Sequence, residues 1–130
     1  MLNHISIMGR LVADPELRYT PKGTPVCSFR IACDRDVKNP DGEYDTDFID
    51  IVAWRGLAEN IARRFTKGRM VIIDGRLQLR PWVDRDGNRH YATEIVANRA
   101  YFGDRPKNER EAEQPDADEG YDDEDGELPL

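Results

Sequence analysis

Apolar residues recur along most of this chain at every second position, and in one stretch at helical spacing. Residues 2–12 set Ile5, Ile7 and Leu11 on one face against His4, Ser6, Met8 and Arg10 on the other, the period of a half-buried strand. Gly9 inside that run marks a bulge or a sharp coil. Asp14-Pro15 opens a turn, and Lys22-Gly23 closes one. Residues 24–34 alternate again, with Cys27, Phe29, Ile31 and Cys33 on one face and Ser28, Arg30 and Asp34 on the other. Residues 35–46, with Asn-Pro and Asp-Gly among them, read as a long polar loop. A third strand spans residues 47–54: Ile49, Ile51 and Ala53 share one face, and Phe48, Asp50, Val52 and Trp54 share the other. The period then changes. Leu57, Ala58, Ile61, Ala62 and Phe65 recur at helical spacing and Gly68 stops them, which predicts a helix over 57–66.

A fourth strand covers residues 70–82. Val71, Ile73, Gly75, Leu77 and Leu79 are in one phase; Ile72, Asp74, Arg76, Gln78, Arg80 and Trp82 are in the other. Asp86-Gly87 then signals a tight hairpin, and residues 90–98 return as a fifth strand carrying Tyr91, Ile95 and Ala97. Three strands, one helix and two strands make an all-β fold. Five strands with a helix between the third and fourth is the order of the oligonucleotide-binding barrel, and Gly9 and Gly75 fall where so small a barrel must bend.

The chemistry lies on the polar phase. Phe48 and Trp54 share one face of the third strand, and Trp82 ends the outward face of the fourth behind Arg76 and Arg80. Arg30 is outward on the second strand, and Arg55 follows Trp54. The opposite phase of each strand already supplies an aliphatic core, and both phases cannot face inward in a small barrel. Aromatics interleaved with arginines suit an unpaired nucleic-acid strand, because every base has a π-face. Three such platforms could supply ~3–9 kcal/mol before any cost is subtracted. Arg10, Arg30, Arg55, Arg76 and Arg80 are the candidate phosphate contacts, and phosphate neutralisation brings salt dependence. Asp50 shares that face and needs an arginine partner, such as Arg30 or Arg76.

An ordered set of segments carries a family resemblance. It runs through Ile7-Met8-Gly9-Arg10-Leu11, Asp14-Pro15-Glu16-Leu17-Arg18-Tyr19 with Gly23, Phe29-Arg30-Ile31-Ala32, and Asp47-Phe48-Ile49-Asp50-Ile51-Val52-Ala53-Trp54. It continues through Leu57-Ala58-Glu59, Lys67-Gly68, Val71-Ile72-Ile73-Asp74-Gly75-Arg76-Leu77, Arg80-Pro81-Trp82, Asp86-Gly87 and Tyr91-Ala92-Thr93-Glu94-Ile95-Val96. With these segments the chain resembles the bacterial single-stranded DNA-binding protein (SSB) family. The resemblance covers residues 1–103 and returns at the acidic tip. It implies an oligonucleotide-binding barrel that assembles as a homotetramer, and DNA wrapped around it with little sequence preference in replication, recombination and repair. It puts base stacking on Phe48, Trp54 and Trp82. A further family aromatic falls around Arg35, where this chain has none; guanidinium stacking is the available substitute.

Charge changes the picture at the C-terminus. Residues 1–105 hold 17 Lys/Arg and 15 Asp/Glu, whereas residues 106–130 hold 2 and 11, a balance of −9 within a whole-chain charge of −7. The pI near 4.8 therefore describes the tail and not the mildly basic domain. A segment with so little apolar material does not offset its ordering entropy, so disorder is expected. The divisions expected are a binding domain over 1–103, an acidic linker over 104–121 and a partner-binding tip over 122–130. The tip comprises Asp122, Asp123, Glu124 and Asp125 followed by Leu128, Pro129 and Leu130. The resemblance implies that such a tip recruits replication and repair proteins, and that it closes with Pro-Phe in the family. Leu130 keeps an apolar anchor but loses the ring. Tethered to a basic groove, the tail is expected to compete with DNA at low salt.

Other classes find less support. No apolar run approaches the ~20 residues of a membrane span, and the N-terminus has no signal-peptide pattern, so a cytoplasmic, nucleoid-associated protein is expected. Cys27 and Cys33, six positions apart on one strand, are separated by ~20 Å and read as buried thiols. Residues 84–88 resemble the start of a calcium loop, but Arg89 and Ile95 stand where Gly and Glu are required. Asp41, Asp45, Asp47 and Asp50 would have to converge to serve a two-metal nuclease. His4 and His90 are isolated, and no Cys/His spacing suits zinc. The expectation is a non-enzymatic binder without metal or cofactor. Its rivals are an RNA-binding barrel, a metal-dependent nuclease on the same barrel, and a scaffold acting through the tail alone.

Overall fold

The computed structural model describes residues 1–104. The elements run β1 (Ile5–Leu11), β2 (Glu16–Tyr19), β3 (Pro25–Lys38), β4 (Tyr44–Trp54), α1 (Arg55–Arg64), β5 (Met70–Val83) and β6 (Arg89–Phe102). The strands pair in the order β1-β5-β6-β4-β3-β2, and β1 also pairs with β3. That extra pairing closes a five-stranded barrel, with β2 outside it on the edge of β3. All contacts are antiparallel except β4 with β6, which run parallel through Asp50, Ile51 and Val52.

The alternating phases point as the pattern demands. Leu11, Cys27, Phe29, Ile31, Ile51, Ala53, Val71, Ile73, Ile95 and Ala97 fill the barrel, and Leu57, Ala58, Ile61 and Phe65 close one end of it. Burying a side chain such as Ile73 contributes ~1.5–3 kcal/mol. Two glycines permit the closure. A Cβ on Gly9 would stand 2.7 Å from the Ala32 carbonyl oxygen, and one on Gly75 would collide with the Val96 carbonyl. Beside Gly75 the β5–β6 register slips between Asp74 and Gly75, leaving Asn98 without an opposite number.

Five expectations need correction. First, the helix begins at Arg55 rather than residue 57 and ends at Arg64. Trp54 occupies the N-cap without any side-chain cap, and no acidic residue lies in the first turn, so the usual start signals are missing. Second, Glu16–Tyr19 is a strand paired to β3, where only turns were read; four residues are too few to show a period. Third, residues 35–46 are mostly strand. Polar cross-strand links hold them, with Thr46 Oγ1 donating to Asp34 at 2.7 Å and Arg35 donating twice to Asp47. The true loop is short, built on Asn39 Oδ1, which accepts from the Asp41 and Glu43 amides. Fourth, β6 runs from Arg89 to Phe102, beyond the expected 90–98. Fifth, Leu77 and Leu79 share the phase of Ile73 but are exposed. Past Gly75, β5 has lost its strand pairing with β1, keeping only two bonds between the Asn3 side chain and the Leu77 backbone, and it runs on with β6 as a projecting arm. The expectations for the linker beyond Asp104 and for the tip lie outside the described residues.

Candidate nucleic-acid interface

Residues directly opposite in paired strands share a face, so the registers define one outward surface across β3, β4, β6 and β5. One row holds Ser28, Val52, Val96 and Arg76, and the next holds Arg30, Asp50, Glu94 and Gln78. Val26 lies opposite Trp54, and Ala32 lies opposite Phe48. Val26, Val52 and Val96 form a small buried cluster of their own, separate from the barrel core. This valine floor lies beneath the outward face and supports the larger side chains around it.

Phe48 is 60% exposed, Trp54 38% and Trp82 44%. Apolar rings left this open are surplus to the core. Phe48 and Trp54 lie on the same face of β4, and Trp82 lies on the same face of β5 as Arg76, Gln78 and Arg80. Trp54, Arg55 and Arg76 meet around one shallow depression, together with Thr20, Thr24 and Val96. The chain turn that puts Arg55 there is unusual. Its φ is +58°, a left-handed conformation uncommon outside glycine, asparagine and aspartate. The strand therefore ends on Trp54 and the helix starts on the next residue, with both side chains beside Arg76.

The other arginines are engaged. Arg30 Nε donates to Asp50 at 2.9 Å, so of the two candidates, Arg30 and Arg76, Arg30 is the partner. This bond, more than the charge itself, raises the Arg30 pKa. Arg80 Nε donates to Glu94 at 3.3 Å, and Gln78 Nε2 donates to the other oxygen of the same carboxylate at 3.0 Å. Glu94, only 9% exposed, is thus held by two donors in the middle of the face. Arg10 lies in a row with Ala32, but its guanidinium donates to the Gly68 carbonyl at 3.1 Å and approaches Asp104 at 3.7 Å. Arg35, for which guanidinium stacking is the expected substitute for a ring, is paired instead. Its Nε and Nη2 donate to Asp47 at 3.0 and 2.9 Å, which holds the Asp47 carboxyl below its usual range. Strand alternation puts Asp47 on the face opposite Phe48, so Arg35 is drawn away from the aromatic surface.

Sequence reasoning missed Glu94, Gln78 and His90. His90, apparently isolated, lies opposite Trp82 in the hairpin and stacks on it. Counting outward from the Asp86-Gly87 turn was the available signal. The loop aspartates do not converge: Asp45 accepts from Asn39, Asp47 from Arg35 and Asp50 from Arg30. Among the described residues no cluster of three His, Cys, Asp or Glu side chains has the arrangement of a metal site. Nor is any described helix long and apolar enough to cross a membrane.

A closed five-stranded barrel, capped by one helix and carrying exposed rings and arginines on one face, defines the class as an oligonucleotide-binding barrel. The chain belongs to the Single-strand binding protein family, whose model matches residues 2–103. It is 46% identical over 108 residues to Single-stranded DNA-binding protein 2 of Listeria monocytogenes, covering 83% of this chain and 67% of that one. It is 42% identical over 123 residues to the Single-stranded DNA-binding protein of Caldanaerobacter subterraneus subsp. tengcongensis, covering 88% and 82%. Against Single-stranded DNA-binding protein A of Bacillus subtilis it is 45% identical over 108 residues, which span 83% of this chain and 62% of that one.

Proposed function

We propose that this protein binds single-stranded DNA with little sequence preference, protecting it in replication, recombination and repair. The observation that carries the reading is the exposure of Phe48, Trp54 and Trp82 on the outward phase, beside arginines and above a valine floor. The names and similarity of the relatives support it. Bases stack on the three rings, each stack contributing ~1–3 kcal/mol. Arg55 and Arg76 approach phosphates beside Trp54; Arg10, Arg30 and Arg80 contribute after exchanging a protein partner for a phosphate. The binder works as a homotetramer without catalysis, and the exposed row of Leu77, Leu79 and Tyr91 is apolar surface that a second copy can cover. The tip from Asp122 to Leu130 recruits replication and repair proteins, and the protein acts at the nucleoid.

The test is tryptophan emission on titration with poly-dT and with a duplex of equal length, at low and moderate salt. Strong quenching by poly-dT and a weak duplex response are expected. Absence of quenching by poly-dT would sink the stacking assignment. Matched RNA oligomers test the RNA-binding reading, since the 2′-OH is the main local difference. Truncation after Asp104 tests tail competition: unchanged affinity and unchanged salt slope would remove it.

A further inference from the structure

We propose that His90 is a positioning residue for the Trp82 platform, backing one face of the indole so that the other is held ready for a base. The inference rests on the single-strand reading given above and adds to it a residue that the stacking set does not include.

The geometry is a chain of fixed contacts at the tip of the β5–β6 arm. Trp82 and His90 are direct cross-strand partners. Their ring centroids are 4.4 Å apart and the planes differ by 22°, a stacked pair. His90 Nε2 lies 2.7 Å from Asp84 Oδ2. The second oxygen of Asp84 accepts from the Asp86 amide at 2.9 Å and the Asn88 amide at 2.8 Å. The backbone closes the same turn, with Asp84 N–H donating to the Asn88 carbonyl at 3.0 Å and Gly87 N–H to the Asp84 carbonyl at 3.0 Å. Gly87 meets the left-handed backbone demand of the turn with φ +85°. The turn therefore fixes Asp84, Asp84 fixes the imidazole, and the imidazole fixes the indole.

The chemistry of Asp84 settles the direction of the link. The hydrogen bond from His90, followed by the one from the Asn88 amide, holds its carboxyl below the usual carboxylate range. An ionised carboxylate only accepts, so Nε2 carries the proton and Nδ1 is left for solvent or a bound strand. An indole has two faces. The imidazole takes one, and Trp82 still keeps 44% of its surface open. Among the described residues neither Phe48 nor Trp54 has a ring stacked on it. Trp82 needs the support more, because it stands on an arm that no longer has β1 beside it. A side chain fixed before binding loses less freedom when a base arrives. The benefit expected is about two- to tenfold in affinity.

The experiment uses the full chain in a Trp54→Phe background, where Trp82 is the remaining one of the two tryptophans. Poly-dT affinity is measured across a salt series, with the emission quench at saturation. His90→Ala should weaken binding about two- to tenfold and reduce the quench, with an unchanged slope of log K against log salt. His90→Phe, which keeps a ring against the indole, should recover most of both. The inference is overturned if His90→Ala leaves affinity and quench intact while Trp82→Ala weakens binding. It is also overturned if His90→Ala flattens the salt slope by about 0.7, the mark of a lost phosphate contact. If Trp82→Ala has no effect on poly-dT binding, the platform itself goes, and His90 with it. A parent protein that does not bind poly-dT would instead remove the wider reading.

Discussion

On β5, Val71 and Ile73 are sealed in the barrel, whereas Leu77 and Leu79 stand in solvent at 43% and 56% exposure. All four share one phase of the strand. The difference is the neighbour. β1 pairs with β5 from Met70 to Gly75 and then stops, so beyond Gly75 the apolar face has no opposite wall. Alternation determines which face a residue occupies, but closure of the barrel determines whether that face is covered. The same division serves the candidate site. The barrel half supplies the rigid valine floor and Trp54, and the arm carries Trp82 outward on a two-stranded support.

The strongest break in this comparison comes from truncating matched residues. Ile73→Ala should lose ~2–5 kcal/mol of unfolding free energy, the cost of a cavity in a packed core. Leu79→Ala should lose under ~0.5 kcal/mol in dilute protein. Denaturant unfolding of the two variants measures both. A Leu79→Ala loss that grows with protein concentration would locate the contact with a second copy on the arm. Equal losses in dilute protein would mean that the arm is part of the barrel's cooperative unit.

Arg55 offers a smaller and sharper separation. Glycine accepts a left-handed backbone that costs other residues ~1–2 kcal/mol. Arg55→Gly should therefore leave the fold equally stable or up to ~1 kcal/mol more stable. The same change should weaken poly-dT binding and flatten its salt slope by ~0.7. Thermal unfolding and a salt-series titration read the two effects. A variant that is less stable and binds equally well would show that the turn serves the fold alone.

Acid should distinguish the polar strand ends from the barrel more gently. Asp47, bonded to Arg35, and Asp84, bonded chiefly to His90, are both held below the usual carboxylate range. A lowered folded pKa gives a contribution that is complete above the ordinary carboxylate range and is lost as pH falls through the lowered value. As pH falls below the ordinary carboxylate range, the β3–β4 segment around Asp47 and the β5–β6 turn at Asp84 should therefore lose amide-exchange protection before the core strands do. Simultaneous loss would contradict this. The smallest signal expected is at Cys27, whose thiol burial pushes its pKa up to about 11. Its alkylation should track global unfolding rather than the thiolate fraction at neutral pH. A reaction with the folded protein that follows pH alone would show that β3 opens locally.

Much of the fold was legible because the strand phases are clean: Ile49, Ile51 and Ala53 against Phe48, Asp50 and Trp54 fixed the orientation of β4 without further help. The exposed rings followed from that phase, and so did Asp50's need of an arginine, but the choice of Arg30 over Arg76 came only with the β3–β4 register. The facing ends of β3 and β4 were illegible for a different reason. Residues 35–46 have little apolar alternation, and their pairing rests on polar links such as Arg35 with Asp47, which depend on a partner strand and not on local pattern. Glu94 and His90 were missed because their roles arise from the β5–β6 register, which sets Glu94 opposite Gln78 and near Arg80, and His90 opposite Trp82.

The double attachment of β1 has a consequence for the nascent chain. Ile5 must wait for Gly75, its partner seventy positions later, before that edge of the barrel can close. At ~5–20 residues per second, synthesis delivers that partner only after ~4–14 s. The β5–β6 pairing must then form and seat beside β4. Until then the newborn polypeptide presents an open strand edge and half a core, so the final closure waits for β6 to be made, under the care of whatever holds exposed edges apart.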